Sequence, residues 1–457
     1  MNETKIVLAN IEDQNVINED QLISEILIRL DNFKIITFYV VNSEFKLIGV
    51  ITEGDIRRFL INKNSLPNSV TEVMNVNYQY YFQDEIKDLR FPKLLDSIEE
   101  LPVINKERSL VGFLRKSNKN YTYHQRDNAS AIAPVRISFA GGGSDVDYWF
   151  DENLGCVVNV AIQKYARVNI RRNYSEKIKI SSLNTAENLC IDLGKLTGYT
   201  DTKLNIIIQC LNACQVRDGF DIDIFCDYGP GTGLGGSSSL VIATLIAISS
   251  IYNMRLSQRE LIDLSYHVER KLTGIAGGWQ DQIIAATGGL CVTDFQHGTY
   301  KTFKLALSDQ NIDTLNSQLF LSPVGNFRSS HSLHELQERA SQTKGFATKM
   351  RNIVNLAKEC SEYLGQGKLQ DLGFILDKGW LLKKSLGEFI SNPEIDERYN
   401  KLVSYGADGG RLIGAGTAGY LMVIVPQEKQ MHFLASCIED NIDVERISID
   451  TKGARIL

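Results

Sequence analysis

The stretch Gly229 to Leu240, "GPGTGLGGSSSL", gathers five glycines and then sets three serines in a row. It follows an alternating segment, Asp221 to Tyr228, that is typical of a half-buried strand, and it precedes an apolar run, Leu240 to Asn253, that suits a buried helix. The glycines therefore form a loop between strand and helix, where unpaired backbone N–H groups and the helix dipole favour an anion. Because glycines let backbone approach a phosphate and a serine hydroxyl can ligate magnesium, we expect a nucleoside triphosphate site.

The same glycines fit other interpretations. Gly231, Gly233 and Gly236 satisfy G-x-G-x-x-G, the dinucleotide fingerprint, but no strand ending in an acidic residue follows about 20 positions later. A P-loop is excluded, because no G-K-[ST] sequence follows the glycines. A flexible loop whose serine caps the next helix is the plainest interpretation of an isolated match.

Length and charge limit the class of protein. The 457 residues are too many for one ordinary core and indicate two or three domains. The formal net charge of −6 at pH 7 argues against nucleic acid or an anionic membrane as the main partner. No uninterrupted apolar stretch of about 18 residues exists, and the N-terminus lacks a basic-then-apolar signal, so we expect a cytoplasmic protein.

The chain divides near residue 120. Before that point, a plan of strand, polar turn, strand with glycine and helix start occurs at residues 38–60 and, as a weaker copy, at residues 100–118, which predicts an internal repeat. The polar stretch that follows, which lacks apolar periodicity, predicts a linker. We therefore predict a repeat pair at 1–118 and a linker at 119–131.

The repeat resembles a pair of CBS domains, α/β modules that often bind adenine nucleotides. The first half, "GVITEGD", matches the motif whose threonine and aspartate usually hold a ribose, here Thr52 and Asp55. The second half has Arg115 and Asn118 at those positions, so the resemblance implies at most one intact half-site. A docking or dimerising module that binds nothing is the open alternative, and a homodimer is one expectation because CBS pairs often associate.

Beyond the linker, several segments occur in the order of one family. Besides Gly229–Leu240, they include "APVRISFAGGGSD" at Ala133–Asp145, "HVERKLTGIAGGWQDQIIAATGG" at His267–Gly289 and "GNFRSSHSL" at Gly325–Leu333. Together they resemble the GHMP kinases, small-molecule kinases that include galactokinase and mevalonate kinase, over about residues 130 to 457. The match is greatest with the sugar branch, particularly the heptose 7-phosphate kinases.

The resemblance implies an α+β fold and a set of roles. An N-terminal α+β domain with the phosphate loop would span 132–310, a ferredoxin-like C-terminal domain would span 311–457, and the active site would lie between them. The implied cofactors are ATP and Mg²⁺. The implied catalytic residues are Asp281 and Arg136, the metal ligands Ser237 and Glu269, and the substrate contacts Asp145 and Arg328. The implied nucleotide-binding residues are Gly231, Gly233, Leu234, Gly235, Gly236, Ser237 and Ser238.

Each candidate also has a purely structural interpretation. Glu269 lies in the charged patch "ERK", which is usual for a solvated helix face. Asp281 could merely cap the following helix, Arg136 could belong to a surface ion pair, and Trp279 could serve packing alone. The collinear motifs favour function for Ser237, Glu269 and Asp281 together.

We therefore expect an ATP-dependent kinase that phosphorylates the anomeric hydroxyl of a heptose 7-phosphate, for a nucleotide-activated heptose of a surface polysaccharide. One alternative is a fucokinase-like kinase of an unphosphorylated hexose, because "GGWQDQ" also resembles that branch. The other is a catalytically inactive protein that senses nucleotides through its CBS pair. The expected partners are a sugar or sugar phosphate and an adenine nucleotide, with no nucleic acid and no membrane.

Overall fold

The computed structural model describes residues 5–9, 16–23, 26, 37–63, 67, 69–83, 100–117, 127–199, 204–252, 254, 256–325 and 331–457. The chain separates into two compact units, Met1–His124 and Gln125–Leu457.

The first unit contains two small sheets, one with the strand order β2-β3-β4 and one with the order β1-β7-β6-β5. The strands are β1 (Lys5–Ala9), β2 (Val16–Asn18), β3 (Thr37–Val41), β4 (Leu47–Thr52), β5 (Tyr81–Phe82), β6 (Glu100–Ile104) and β7 (Leu110–Ser117). Helix α1 (Glu53–Lys63) follows β4 without an intervening residue, which confirms the strand-to-helix order expected there.

The hairpins β3–β4 and β6–β7 repeat one local design. The Asn42 side chain accepts hydrogen bonds from the backbone N–H groups two and four residues later, and Asn105 does the same in the second hairpin. Phe45 and Arg108, three residues after these asparagines, adopt left-handed φ angles of +60° and +64°. This is the internal repeat that the sequence predicts.

An eight-stranded sheet forms the centre of the second unit. Its path is β11-β10-β12-β9-β13-β14, β8 pairs with β9, and β19 pairs with β8. The strands are β8 (Asn128–Ala140), β9 (Gly155–Arg172), β10 (Lys177–Ser182), β11 (Glu187–Asp192), β12 (Phe220–Cys226), β13 (Leu290–Gln296), β14 (Thr299–Lys304) and β19 (Arg455–Ile456). Because β12 buries Phe220, Ile222 and Ile224 at every second position, its alternating sequence predicts it correctly.

Five helices accompany this sheet, and one of them is largely buried. They are α2 (Asp147–Phe150), α3 (Asn205–Ala213), α4 (Gly236–Tyr252), α5 (Gln258–Tyr266) and α6 (Gln280–Thr287), with a π-helical turn at His267–Leu272 after α5. Helix α4 contacts β8 and β9 as well as α3, α5 and α6. It is apolar around most of its circumference because neighbours cover it on most sides.

A second sheet in the same unit has the order β16-β17-β15-β18. Its strands are β15 (Leu319–Val324), β16 (Gly409–Gly416), β17 (Ala418–Ile424) and β18 (Glu445–Arg446). The accompanying helices are α7 (Asp309–Gln318), α8 (His331–Ser341), α9 (Phe346–Gly365), α10 (Leu372–Lys384), α11 (Pro393–Ser404) and α12 (Gln430–Glu439). Helix α10 packs on β16 through an apolar face that includes Ile375, Leu376 and Trp380.

The structure departs from the sequence-based boundaries at both ends of this unit. Strand β8 begins at Asn128, inside the range predicted as linker, because Ala129 and Ala131 are small apolar residues that alternate into the core. The chain also returns from the second sheet to the first, where the Leu457 N–H donates to the Ser130 carbonyl at 2.8 Å. Among the described residues, no helix combines the length and apolar character needed to cross a membrane.

Candidate active site

The glycine-rich loop joins the end of β12 to the start of α4. Gly231, Gly233 and Gly235 adopt left-handed φ angles of +73°, +74° and +76°, which other residues rarely do. A side chain at Gly233 would also collide with its neighbours, because a Cβ there would lie 2.8 Å from the Ile413 carbonyl oxygen and 2.9 Å from Gly414 Cα. The backbone of the loop therefore packs directly against the hairpin β16–β17 of the second sheet.

A cavity of about 600 Å³ opens beside this loop, with walls from both sheets of the second unit. Most of the site residues expected from the sequence line it: Arg136, Asp145, Gly231, Gly233, Gly235, Gly236, Ser237, Glu269 and Asp281. Leu234 and Ser238 are instead fully buried behind the loop. Arg328 lies outside the described residues.

Glu269 is 0 % exposed, and its carboxylate collects three side-chain donors. The Ser237 hydroxyl donates to Oε1, while the Ser238 hydroxyl and the Gln282 amide each donate to Oε2 at 2.6 Å. The Arg270 guanidinium adds a positive charge 3.5 Å from Oε1. These groups replace the water that the buried charge has lost. The interpretation of Glu269 as part of a solvated helix face is therefore wrong.

A π-helical turn explains how Glu269 comes to face inward. Helix α5 begins at a capping box formed by Ser257 and Glu260, which fixes its start. The chain then widens into the π-helical turn His267–Leu272, a local deviation that is frequent at functional sites. Arg270 leaves the same turn and donates to carbonyl oxygens of the next loop, at Ile275 (3.0 Å) and Gly278 (2.9 Å), so the turn also orders the path to α6.

Arg136 and Asp281 form an ion pair against the glycine-rich loop. Strand β8 carries Arg136, whose Nη1 donates to the Gly233 carbonyl at 2.5 Å and whose Nη2 lies 2.7 Å from Asp281 Oδ1. The Arg136 side chain is 7 % exposed, which excludes the surface-pair interpretation. Asp281 lies in the first turn of α6, where the N-cap position belongs to Trp279. Asp281 therefore pairs with a buried cation instead of capping its helix.

Asp145 is buried at the edge of the cavity and ties two segments together. Its Oδ1 accepts from the Gly143 N–H and the Gln280 side-chain amide, and its Oδ2 accepts from the Gln280 N–H, all at 3.1 Å. Burial raises the pKa of Asp145, the backbone hydrogen bond from Gln280 partly offsets that rise, and the negative charge of Asp281 adds to it. Asp145 thus fixes the turn after β8 to the start of α6.

Trp279 packs, as its structural interpretation expects, and it also donates a hydrogen bond. Its ring stacks on Tyr266 with centroids 3.6 Å apart and planes 7° from parallel. The indole Nε1 donates to Asp147 Oδ1 at 2.9 Å, and the Tyr266 hydroxyl donates to Asp147 Oδ2 at 2.8 Å. The aromatic pair lies behind the start of α6 and fixes its position.

Two further cations, Lys383 and Arg411, line the same cavity, and no sequence motif indicated them. Lys383 lies in the last turn of α10 and donates to the Gly414 carbonyl, and Arg411 on β16 donates to the Phe139 carbonyl at 3.1 Å. A lysine at a helix end is ordinary dipole complementation, so nothing local distinguishes Lys383 from Lys384. Only the packing of the second sheet brings these cations to the loop.

Thr52 and Asp55, the predicted half-site of the first unit, hydrogen-bond to each other. Asp55 Oδ2 accepts from the Thr52 N–H at 2.9 Å and from its hydroxyl at 2.6 Å, while Asp55 Oδ1 pairs with Arg58. Both carboxylate oxygens are thus engaged at the start of α1. Asn118, the counterpart of Asp55 in the second repeat, lies outside the described residues.

Family models match both units. The GHMP kinases N terminal domain matches residues 205–289, which include the glycine-rich loop, Glu269 and Asp281. The CBS domain matches residues 11–62, the first of the two repeats.

Two curated relatives match about two thirds of the chain or more. The chain is 27% identical to a D-glycero-alpha-D-manno-heptose 7-phosphate kinase of Campylobacter jejuni over 329 residues, 70% of this chain and 96% of that one. It is 26% identical to a bifunctional fucokinase/GDP-fucose pyrophosphorylase of Arabidopsis thaliana over 330 residues, 68% of this chain but only 31% of that one.

A solved structure confirms the expected fold. The D-glycero-D-manno-heptose 1-phosphate kinase of Bacteroides thetaiotaomicron superposes with a TM-score of 0.59 at 24% identity, covering 72% of this chain and 98% of that one. Together with the ordered motifs, the matches show that the chain contains a GHMP kinases N terminal domain and a CBS domain, and that it is similar to sugar kinases.

Proposed function

We propose that this kinase transfers the γ-phosphoryl group of ATP to the anomeric hydroxyl of a heptose 7-phosphate, giving the 1,7-bisphosphate. One observation carries the proposal: the Arg136–Asp281 pair and the Ser237–Glu269 pair flank the same glycine-rich loop inside one cavity. Phosphoryl transfer needs positioned cations, a metal site and a group that orients the attacking hydroxyl. These two pairs offer all three.

The residues present fit Mg²⁺. The hydroxyl of Ser237 and the carboxylate of Glu269 are hard oxygen donors in direct contact, and oxygen ligands are what Mg²⁺ requires. While its proton is donated to Glu269, the Ser237 oxygen keeps lone pairs for a metal. No group of three His, Cys, Asp or Glu side chains in the described ranges could hold a metal, so the remaining ligands would be phosphate oxygens and water. Bound Mg²⁺ would bridge and neutralise phosphate oxygens of the nucleotide.

The loop residues would hold the triphosphate through backbone. Gly231, Gly233, Gly235 and Gly236 line the cavity along the loop that leads into α4, whose N-terminus carries the positive end of the helix dipole. Leu234 anchors this backbone in the core, and Ser238 braces Glu269 from behind. These two residues would act on the nucleotide through the shape of the loop.

Asp281 would receive the proton of the attacking sugar hydroxyl, or orient that hydroxyl toward the phosphorus. Arg136 would hold the Asp281 carboxylate in place and offset the negative charge that develops during transfer. Its second contact, to the Gly233 carbonyl, links the position of the base to the loop that holds the phosphates. Transfer is thereby coupled to nucleotide binding through one side chain.

Support for the acceptor comes from the relatives. The Campylobacter jejuni kinase, whose name states a heptose 7-phosphate, matches over 329 residues, which are 96% of its own length. We assign Asp145 to the sugar hydroxyls, since it lines the cavity beside Gln280. The sequence motif suits Arg328 to the phosphate or the hydroxyls of the sugar. A cytoplasmic role in making a nucleotide-activated heptose for a surface polysaccharide belongs to the same proposal.

The fucokinase-like alternative retains one specific support, the Arabidopsis thaliana relative at 26% identity. The inactive-sensor alternative is disfavoured by the built site, because a chain without catalysis has no need to keep a fully buried Glu269 and the Arg136–Asp281 pair. For the first unit we propose an adenine nucleotide at Thr52 and Asp55, and its binding would require Asp55 to exchange its contacts with Arg58.

The test is an ATP-consumption assay with Mg²⁺ on the full chain, with NMR of each product. The acceptors are heptose 7-phosphate, free heptose, fucose, galactose and mannose. We expect the phosphorylated heptose to give the 1,7-bisphosphate with a kcat/KM far above that for any unphosphorylated sugar. Turnover of a free hexose would keep the kinase and replace the acceptor, and no turnover with any acceptor would contradict the proposal.

A further inference from the structure

Lys383 and Arg411 are buried cations that form no ion pair with a carboxylate in the part of the chain that the structure describes. Lys383 is 6 % exposed and Arg411 is 3 % exposed. Their hydrogen bonds go to the neutral carbonyls of Gly414 and Phe139, and Arg411 Nε has no partner. Among the described residues, the ion pairs within 4.0 Å include neither side chain.

Such an arrangement is costly unless an anion completes it. Burial lowers the pKa of Lys383 well below its usual value, and the positive charges of Arg411 and Arg136 lower it further, while Asp145 opposes them. Burial likewise lowers the pKa of Arg411 to about 10. Three cations thus lie near one another in the cavity, and among the described residues Arg136 alone of the three has a carboxylate partner within 4.0 Å.

The two cations contact both the turn that leads to Asp145 and the hairpin that packs on the glycine-rich loop. Arg411 donates to Phe139, near the end of β8, where the chain enters the turn that leads to Asp145. Lys383 donates to Gly414, which packs against Gly233 of the glycine-rich loop. The pair therefore lies between the nucleotide loop and the turn assigned to the sugar, on the wall made by α10 and β16.

We propose that Lys383 and Arg411 form an anion subsite for the phosphate group that the acceptor sugar already carries. The proposal rests on the function proposed above and gives it a specificity determinant. Lys383 spends one of its three donors on Gly414 and keeps two, and the planar guanidinium of Arg411 suits phosphate oxygens. A phosphate dianion here would neutralise both buried charges, whereas a free sugar would leave them unpaired. The subsite thereby selects phosphorylated acceptors.

The experiment compares Lys383→Met with Lys384→Met in the full chain. Lys384 is the matched control, because it is the next residue and pairs with Asp396 at 3.2 Å away from the cavity lining. For each protein, kcat/KM is measured with heptose 7-phosphate and with free heptose, and inorganic phosphate is titrated as a probe. We expect Lys383→Met to lower kcat/KM for the phosphorylated acceptor by about 10- to 100-fold, the loss of charge-assisted hydrogen bonds. Its value for free heptose, its affinity for ATP and all values of Lys384→Met should stay within about threefold.

Inorganic phosphate should compete with the acceptor in the wild-type chain and lose that effect in Lys383→Met. Equal losses with both acceptors would assign Lys383 to the phosphoryl group of ATP and overturn the subsite, as would an unchanged Lys383→Met. If the wild-type chain phosphorylates neither heptose, phosphate binding is read by calorimetry. Phosphate binding that is lost in Lys383→Met but kept in Lys384→Met would support the subsite and replace only the acceptor. Phosphate binding that is unchanged in both variants would reject the subsite. Arg411→Lys, which keeps the positive charge but not the planar guanidinium, serves as a second variant. It should lower kcat/KM for the phosphorylated acceptor by a smaller factor than Lys383→Met does.

Discussion

Gly235→Ala tests whether the loop sets the position of Asp281. Gly235 has a φ of +76°, and a Cβ there would lie 3.0 Å from Asp281 Cγ and 3.1 Å from its Oδ2. Carbon atoms normally approach to about 3.5–4.0 Å, so Asp281 must retreat by about 0.5 Å or more. The left-handed backbone costs a non-glycine residue about 1–2 kcal/mol. We expect a loss of stability of that size.

The retreat of Asp281 should reach the chemistry, because its carboxylate lies only 2.7 Å from Arg136 and carries the proposed proton transfer. A misplacement of about 1 Å can cost about 100-fold in rate, so we expect kcat to fall by about 10- to 100-fold. Steady-state kinetics at saturating ATP and acceptor, together with urea unfolding, give both quantities. Gly194→Ala is the control, since a Cβ at Gly194 would meet no atom within 4 Å and the residue lies outside the cavity. A destabilised Gly235→Ala that keeps the wild-type kcat would refute the reasoning.

Three further substitutions probe the other parts of the site. Asp281→Asn should lower kcat by about 100- to 10,000-fold through loss of the proton acceptor, with the calorimetric Kd for ATP within about twofold, and wild-type turnover would contradict the assigned role. Glu269→Gln should raise the Mg²⁺ concentration for half-maximal activity at least tenfold and cost about 1–3 kcal/mol in urea unfolding, and an unchanged Mg²⁺ requirement would remove Glu269 from the metal site. Without ligand at pH 7, Lys383→Met should raise the midpoint of thermal unfolding, because the pKa of Lys383 is lowered in the folded chain and folding therefore opposes its protonation. The unfolded chain binds the proton more tightly, so this advantage should shrink as the pH rises toward 10.5, and a gap that widens with pH would contradict it.

The sequence correctly predicts those elements whose structure depends mainly on local residues, such as β12, the glycine-rich loop and α4. Strand β12 shows its alternation directly, and the following glycines lead into α4, which begins at Gly236, one residue before the serines expected at its start. Family resemblance then supplies the order of the motifs. The contact between Gly233 and Gly414, which joins loop and hairpin, has no local signal, because each glycine alone fits any turn.

The sequence does not determine which side chains of the site are buried. From the sequence, Glu269 could equally be a solvent-exposed charge. Its burial becomes evident from the π-helical turn and from its hydrogen bonds with the neighbouring serines. Arg136 could be predicted as inward-facing from its strand, but its pairing with Asp281 depends on two motifs distant in sequence. Lys383 looks identical to Lys384 in "WLLKKSL", and the difference arises from which face of α10 meets the second sheet.

The return of the chain to β8 has a practical consequence for rearranging this protein. Because the Leu457 N–H bonds to the Ser130 carbonyl, the two ends of the second unit are neighbours in one sheet. A linker of a few glycines could join them, and a new opening at the exposed hairpin turn His297–Gly298 would leave every strand pairing intact. In such a circular permutant the CBS unit could be moved to a new terminus or removed, and its influence on turnover measured with the active-site cavity unaltered.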